Sequence, residues 1–164
     1  MITKVDYKNY DISDIKITPP LPVTSEHVLL GIDPGTTKLG LAWIWRNICH
    51  IYEIKIIRSP DPVVRILLTQ EIMSKCFLMF DYAPLMTIEG SSFGNNYRQV
   101  ELAEVRASAV LWAVSHGITP KIVPPLSVRK KVFGNSKLRA ETEWYLREFP
   151  NAASALACAY FGGI

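Results

Sequence analysis

"HVLLGIDPGTTKLGLAWIW", residues 27–45, consists of two apolar runs separated by a cluster of turn formers. The first run, HVLLGID, shows no polar alternation, as expected of a short strand buried on both faces. It stops at Asp33, where Pro34 and Gly35 favour a turn over further extension. LGLAWIW, residues 39–45, reads as a second strand, and IYEIKII, residues 51–57, as a third, joined through RNICH at 46–50. These three strands make an antiparallel meander.

Downstream of the meander the period changes. Val63, Ile66, Leu67, Ile72, Met73 and Phe77 recur at three- and four-residue spacing, which predicts a helix over 63–80. PLMTIEG, residues 84–90, is a further strand ending on Glu89, and SSFGNN at 91–96 is a loop. A long helix follows over 97–117, closed by Gly117, then a fifth short strand in KIVPP at 121–125. LSVRKKVFG and KLRAETEWYLREF are short amphipathic segments, and PNAASALACAY, residues 150–160, is a last helix of small side chains. Strands alternating with helices predict an α/β layer fold, with a five-stranded mixed sheet flanked by helices. It fills one domain over 27–164, preceded by an irregular arm at 1–26, whose TPPLP stretch at 18–22 suits neither a helix nor a central strand.

The bulk numbers bound the function only loosely. Eighteen Lys and Arg against fifteen Asp and Glu leave a net charge of +3, which permits a polyanionic partner without demanding one. Cys49, Cys76 and Cys158 are odd in number and widely spaced, so neither a zinc site nor a disulfide framework is expected, and a reducing, cytoplasmic setting fits. The first seventeen residues mix Asp with Lys and do not read as a secretion signal. No apolar run reaches the ~20 residues of a membrane span.

Two acids stand where an α/β sheet would place chemistry. Asp33 ends the first strand and Glu89 the fourth, each after an apolar run, and ligands of such sheets bind at the carboxyl ends of the strands. A carboxylate held at the edge of a core needs a compensating cation or donor, and Mg²⁺, an oxygen-seeking ion, is the natural one. Either acid alone is equally explained as a turn residue at a strand end.

GIDPGTTKLG resembles the first phosphate loop of the actin, Hsp70 and sugar-kinase superfamily, but that architecture needs two domains and a second glycine-rich loop, for which there is no room. It also resembles the first motif of RuvC-type Holliday junction resolvases, and this likeness runs over about residues 27–162. TIEGSSFGNN is similar to that family's second motif, QVELAEVRASAVLWAVSHG to its central helix, PPLSVRKKVFGNSKLRAETEWYL to its basic segment and NAASALACAY to its last motif. The resemblance implies an RNase H-like fold and a homodimer that cuts four-way or branched DNA with two Mg²⁺ or Mn²⁺ ions per active site. Asp33 and Glu89 match its first two metal-binding catalytic carboxylates.

At the start of the last helix the resemblance implies two further acids, three residues apart on one face. The chain has Asn151 and Ser154 there. Asn151 keeps the shape of an aspartate ligand without its charge, so the implied enzyme is inactive as written, with Ser154 at best a weak site. A substitution made to trap a substrate and a natural loss of catalysis would leave the same sequence, and Asn is also a preferred helix cap. Glu141, Glu143 and Glu148 lie upstream and are not expected to replace the missing acids.

Arg129, Lys130, Lys131, Lys137 and Arg139 crowd into thirteen residues. Such a run is most often a solvated face, but beside a carboxylate cluster it would draw in a DNA backbone that the acids repel. The resemblance makes Lys137 a catalytic lysine near the scissile phosphate. Phe93 is a candidate for stacking on an unpaired base, and Arg98 and Arg106 for phosphate contact. Val105, Ala109, Trp112 and Ala113 serve equally as a dimer interface or as core. A junction-binding protein that never cuts is the second reading, and an actin-like ATP-binding fragment the third.

Overall fold

The computed structural model describes residues 1–11, 27–46, 48–77, 84–91 and 98–164. Its six strands are β1 (Ile2–Asp11), β2 (Leu29–Asp33), β3 (Lys38–Trp45), β4 (Ile48–Ile56), β5 (Leu85–Glu89) and β6 (Lys121–Val123). They form one mixed sheet in the order β1-β4-β3-β2-β5-β6. The helices are α1 (Pro62–Cys76), α2 (Gln99–Ser115), α3 (Pro125–Phe133), α4 (Ala140–Glu143) and α5 (Pro150–Gly162). The meander β2-β3-β4 is antiparallel, and β5 and β6 run parallel to β2. Among the described residues no helix is long and apolar enough to cross a membrane.

The sixth strand corrects the reading of residues 1–26 as an irregular arm. Ile2–Asp11 pairs antiparallel with β4 along its whole length. It carries no apolar run, because an edge strand draws its hydrogen bonds from the backbone while charged side chains shield it from further pairing. The proline stretch at 18–22 lies outside the described residues.

One face of the sheet packs Leu30, Ile32, Leu41 and Ile88 against α1 and α2. Val105, Ala109, Trp112 and Ala113 belong to this core, which settles them as packing rather than interface. Arg65 of α1 pairs with Glu104 of α2, and Trp112 Nε1 donates to Ser74 Oγ at 2.9 Å, so the two helices are locked by polar contacts as well.

The other face carries Leu29, Ala42, Ile44 and Ile51 and receives α5. A helix lies this close to a sheet only if both surfaces are small. Ala152, Ala153, Ala155, Ala157 and Ala159 are buried in α5, and two glycines face them. A Cβ on Gly31 would stand 1.8 Å from Ala155 O, and one on Gly40 would stand 2.0 Å from Asn151 O. The absence of charge in α5 therefore follows from its position: it is sandwiched backbone to backbone against β2 and β3.

Candidate metal centre and nucleic-acid surface

Residues paired across a sheet share a face, so the register shows which side chains meet. Asp33 pairs with Gly40, and Gly40 with Glu53. On the other side β5 runs parallel to β2 with Ile32 opposite Ile88, which brings Glu89 beside Asp33. Glu89, Asp33, Gly40 and Glu53 thus form one row across four strands, on the face that α5 covers. The first turn of α5 sits over the side-chain-free position, Gly40.

Asp33, Glu89 and Asn151 come together as the sequence predicts. Asn151 Nδ2 donates to Asp33 Oδ2 at 3.2 Å, tying helix to strand across 118 residues of chain. The reading of Asn151 as a helix cap is corrected: Phe149 is at the cap position, Pro150 opens the helix, and Asn151 lies inside its first turn. Ser154 is one turn further along, half-buried. Asp33, Glu89, Gly90, Ser91, Gln99 and Arg106 line a cleft of about 170 Å³. Arg106 Nε donates to the Glu89 carbonyl at 3.2 Å, so its charge stands at the cleft wall rather than pointing away.

Glu53 was not singled out by the sequence reading. It is 1% exposed. Its Oε2 accepts the Ala152 N–H at 2.8 Å, so it caps α5 from a neighbouring strand where Phe149 offers no side chain to do so. The available signal was a lone acid within the strand IYEIKII, where a half-exposed strand would carry its polar residues on the open side.

Burial pushes Asp33 well above the usual carboxylate range, and the Glu89 charge, a hydrogen bond to Glu89 and the Glu53 charge push the same way, while Asn151 opposes them. Burial also raises Glu53, offset by the Ala152 N–H and by Lys38. Cys158, buried in α5, is raised well above the ordinary thiol range by burial, then by Glu89 and Asp33, and is no nucleophile. Two carboxyl groups set side by side at the edge of a core need a compensating cation or donor, and an all-oxygen donor set suits a hard divalent ion. The residues present therefore fit such an ion, with Asp33 and Glu89 as its carboxylates and Asn151 as a neutral neighbour. Among the described residues no three His, Cys, Asp or Glu side chains gather closely enough to hold an ion by themselves.

The linkage has a definite sign. An acid whose folded pKa is raised holds a proton that the unfolded chain has already released, so folded stability declines as pH rises from the ordinary carboxylate range, about 4, through the raised value. In metal-free buffer, Asp33→Asn is expected to melt progressively higher than the parent chain as pH increases over this window. Divalent cation should erase the difference by stabilising the parent. A gap between the two melting curves that does not depend on pH would refute this account of Asp33.

The basic residues are placed unequally. Pro125, the first residue of α3, lines the cleft, which brings the amino end of the basic segment to the acids. Arg129 is half-buried and Lys130 exposed on α3. Lys131 Nζ donates to Ile164 O at 2.6 Å and lies over the Phe161 ring. Lys137 is exposed in the turn that Asn135 Oδ1 braces by accepting its N–H, and Arg139 is exposed with Glu141 3.8 Å away. Arg98 precedes α2 at the cleft side, exposed. Phe93 lies outside the described residues.

Compared with solved structures, the chain matches Thermus thermophilus RuvC with a TM-score of 0.58 at 18% identity, covering 82% of this chain and 92% of that one. It matches T. thermophilus RuvC in complex with a Holliday junction substrate with a TM-score of 0.59 at 20% identity, over 82% and 91% of the two chains. The fold is RNase H-like, as in RuvC. No protein-family model matches the chain, and no curated protein matches it by sequence. At these identities the likeness carries the architecture, while the site rests on its own geometry.

Proposed function

We propose that this chain is a structure-selective DNA-binding protein of the junction-resolvase type, built for divalent-cation-assisted phosphodiester hydrolysis at four-way or branched DNA and held inactive by the uncharged first turn of α5. The observation that carries this reading is the contact of Asn151 with Asp33 beside Glu89 at the ends of neighbouring strands. Two carboxylates and a cleft wall bearing Arg106 provide a cation position and a phosphate position side by side. A Mg²⁺ or Mn²⁺ ion there would act as a Lewis acid on the phosphate oxygens, and a second ion would need the charge that Asn151 and Ser154 lack. Lys137, Arg139, Arg129 and Lys130 would hold the backbone by charge, Phe93 would stack on an exposed base, and a homodimer would address two strands of a junction.

A purely architectural junction binder is the second reading, favoured by the absence of acid at both 151 and 154. It differs from the first only in what happens when the charge is restored. Both readings make the same prediction about binding. In fluorescence anisotropy the chain should bind a synthetic four-way junction at least about tenfold more tightly than a duplex of equal length, with binding weakening steeply in salt. Lys137→Ala should lower the salt slope by roughly one. Equal affinity for junction and duplex would exclude both, and saturable binding of ATP instead would favour the actin-like reading.

A further inference from the structure

The turn that joins α4 to α5 sets an exposed ring in a conformation that glycine holds more easily. Tyr145 N–H donates to Thr142 O at 3.3 Å and Leu146 N–H to Glu141 O at 2.9 Å, the pair of bonds that closes a helix on a left-handed residue. Glycine is the usual occupant of that place, because a side chain resists positive φ. Here it is Tyr145, at φ 57° and 78% exposed. Its neighbours Trp144 and Leu146 are both buried, so the turn is anchored on either side and directs the ring outward. Neither the helix end nor the core asks for an aromatic there.

The ring is one wall of a recess of about 430 Å³ lined by Lys8, Tyr145, Leu146, Arg147, Glu148 and Phe149. Leu146 and Phe149 are buried and make one side apolar, while Lys8, Arg147 and Glu148 are exposed. Lys8 Nζ lies 4.6 Å from the centre of the Phe149 ring, which holds the ammonium against that apolar side. The volume falls within the ~300–1,000 Å³ of small-ligand sites. A flat ring, two cations and one carboxylate complement a nucleotide part by part: the base stacks, the phosphates take the cations, and an amino group on the base donates to the acid.

The register places this recess relative to the acids. Asp6 of β1 pairs with Glu53, and Lys8, two residues on, shares the face that α5 covers. Three inter-strand steps and two residues separate Lys8 from Asp33 by about 16 Å, with the amino end of α5 between them. We propose that the recess holds an unpaired nucleotide of a branched DNA strand, with Tyr145 on the face of its base and Lys8 and Arg147 on its phosphates. This rests on the DNA reading above and deepens it: a strand at the Asp33 cleft continues round the amino end of α5 into the recess. A ring can cover a base only where that base has left its own stack, which a branch point provides. Glu148 favours a base that carries an amino group, such as cytosine, over thymine.

The test is fluorescence anisotropy with the full chain and a labelled four-way junction carrying unpaired cytosines at its branch point, beside a duplex of equal length. Tyr145→Gly removes the ring and suits the backbone, so it should melt no lower than the parent yet bind this junction about tenfold more weakly. Tyr145→Trp should bind it like the parent. Lys8→Ala should lower the salt slope by about one, and Glu148→Ala should bind cytosine- and thymine-bearing junctions alike where the parent favours cytosine. If Tyr145→Gly binds the junction like the parent while the parent still prefers junction to duplex, the recess holds no nucleotide and the junction reading stands without it. If the parent binds junction and duplex alike, the junction reading itself falls and the role of the recess with it. Should Tyr145→Gly fail to fold, Tyr145→Asn decides, since asparagine also accepts positive φ: a tenfold loss upholds the proposal and unchanged binding overturns it.

Discussion

Asn151→Asp is expected to raise Mg²⁺- or Mn²⁺-dependent cleavage of a synthetic four-way junction by at least about a hundredfold, since a second metal contributes several kcal/mol to the transition state and each 1.36 kcal/mol is tenfold. Asn and Asp are nearly isosteric, and Asn151 already lies beside Asp33. Adding the charge therefore changes the chemistry at nearly constant volume: the amide's hydrogen bond to Asp33 is lost, and a bound divalent ion would take that donor's place. Asn151→Asp combined with Ser154→Asp should exceed the single change, because Ser154 lies one turn on and is half-buried rather than enclosed. The assay is denaturing electrophoresis of end-labelled junction arms with and without divalent ion. If both variants bind Mn²⁺ and junction DNA yet leave every strand intact, the chain is the architectural binder and not a silenced nuclease.

The second large effect concerns the packing that carries the site. Gly31→Ala and Gly40→Ala should each cost about 3 kcal/mol or more, at the upper end of overpacking effects, because the new Cβ meets backbone atoms that cannot swing aside. For a chain of this size that lowers the melting temperature by roughly 6 to 12 °C, if the variant folds. The two differ in what else they disturb. Gly31 faces Ala155 and Ala159 in the middle of α5, whereas Gly40 faces Asn151 and Ala152 at its first turn. Gly40→Ala should therefore also separate Asn151 from Asp33 and lose Mn²⁺ affinity beyond its loss of stability. Scanning calorimetry together with a Mn²⁺ titration separates the two variants, and a Gly40→Ala chain as stable as the parent would contradict the close approach of α5.

How much of this was legible in the sequence depended on whether a residue announced itself locally. Asp33 and Glu89 did, because each interrupts an apolar run at a strand end. The long helices and the meander did as well, through their periods. Glu53 did not: it lies in the middle of a strand, and what buries it is the first turn of α5, almost a hundred residues away. Gly31 and Gly40 were also silent, since a glycine in a strand reads as a weakness until the helix that needs the space is in place. β1 escaped because its pairing with β4 is made by backbone rather than by apolar side chains. Asn151 was legible only through resemblance, and it took the folded position of α5 to show which carboxylate it touches.

The way α5 is held carries a consequence for how the protein can change over time. Its first turn is fixed by Gly40 beneath it and by Glu53 beside it, and the Asn151 amide adds a single hydrogen bond to Asp33. Asparagine and aspartate codons differ in their first base alone. On the proposed reading, the step between a chain that holds DNA and one that cuts it is a single transition, in which a cation would replace the amide donor at Asp33. Position 154 is different, because no serine codon becomes an aspartate codon by one change. The history of the site is therefore written more slowly at Ser154 than at Asn151.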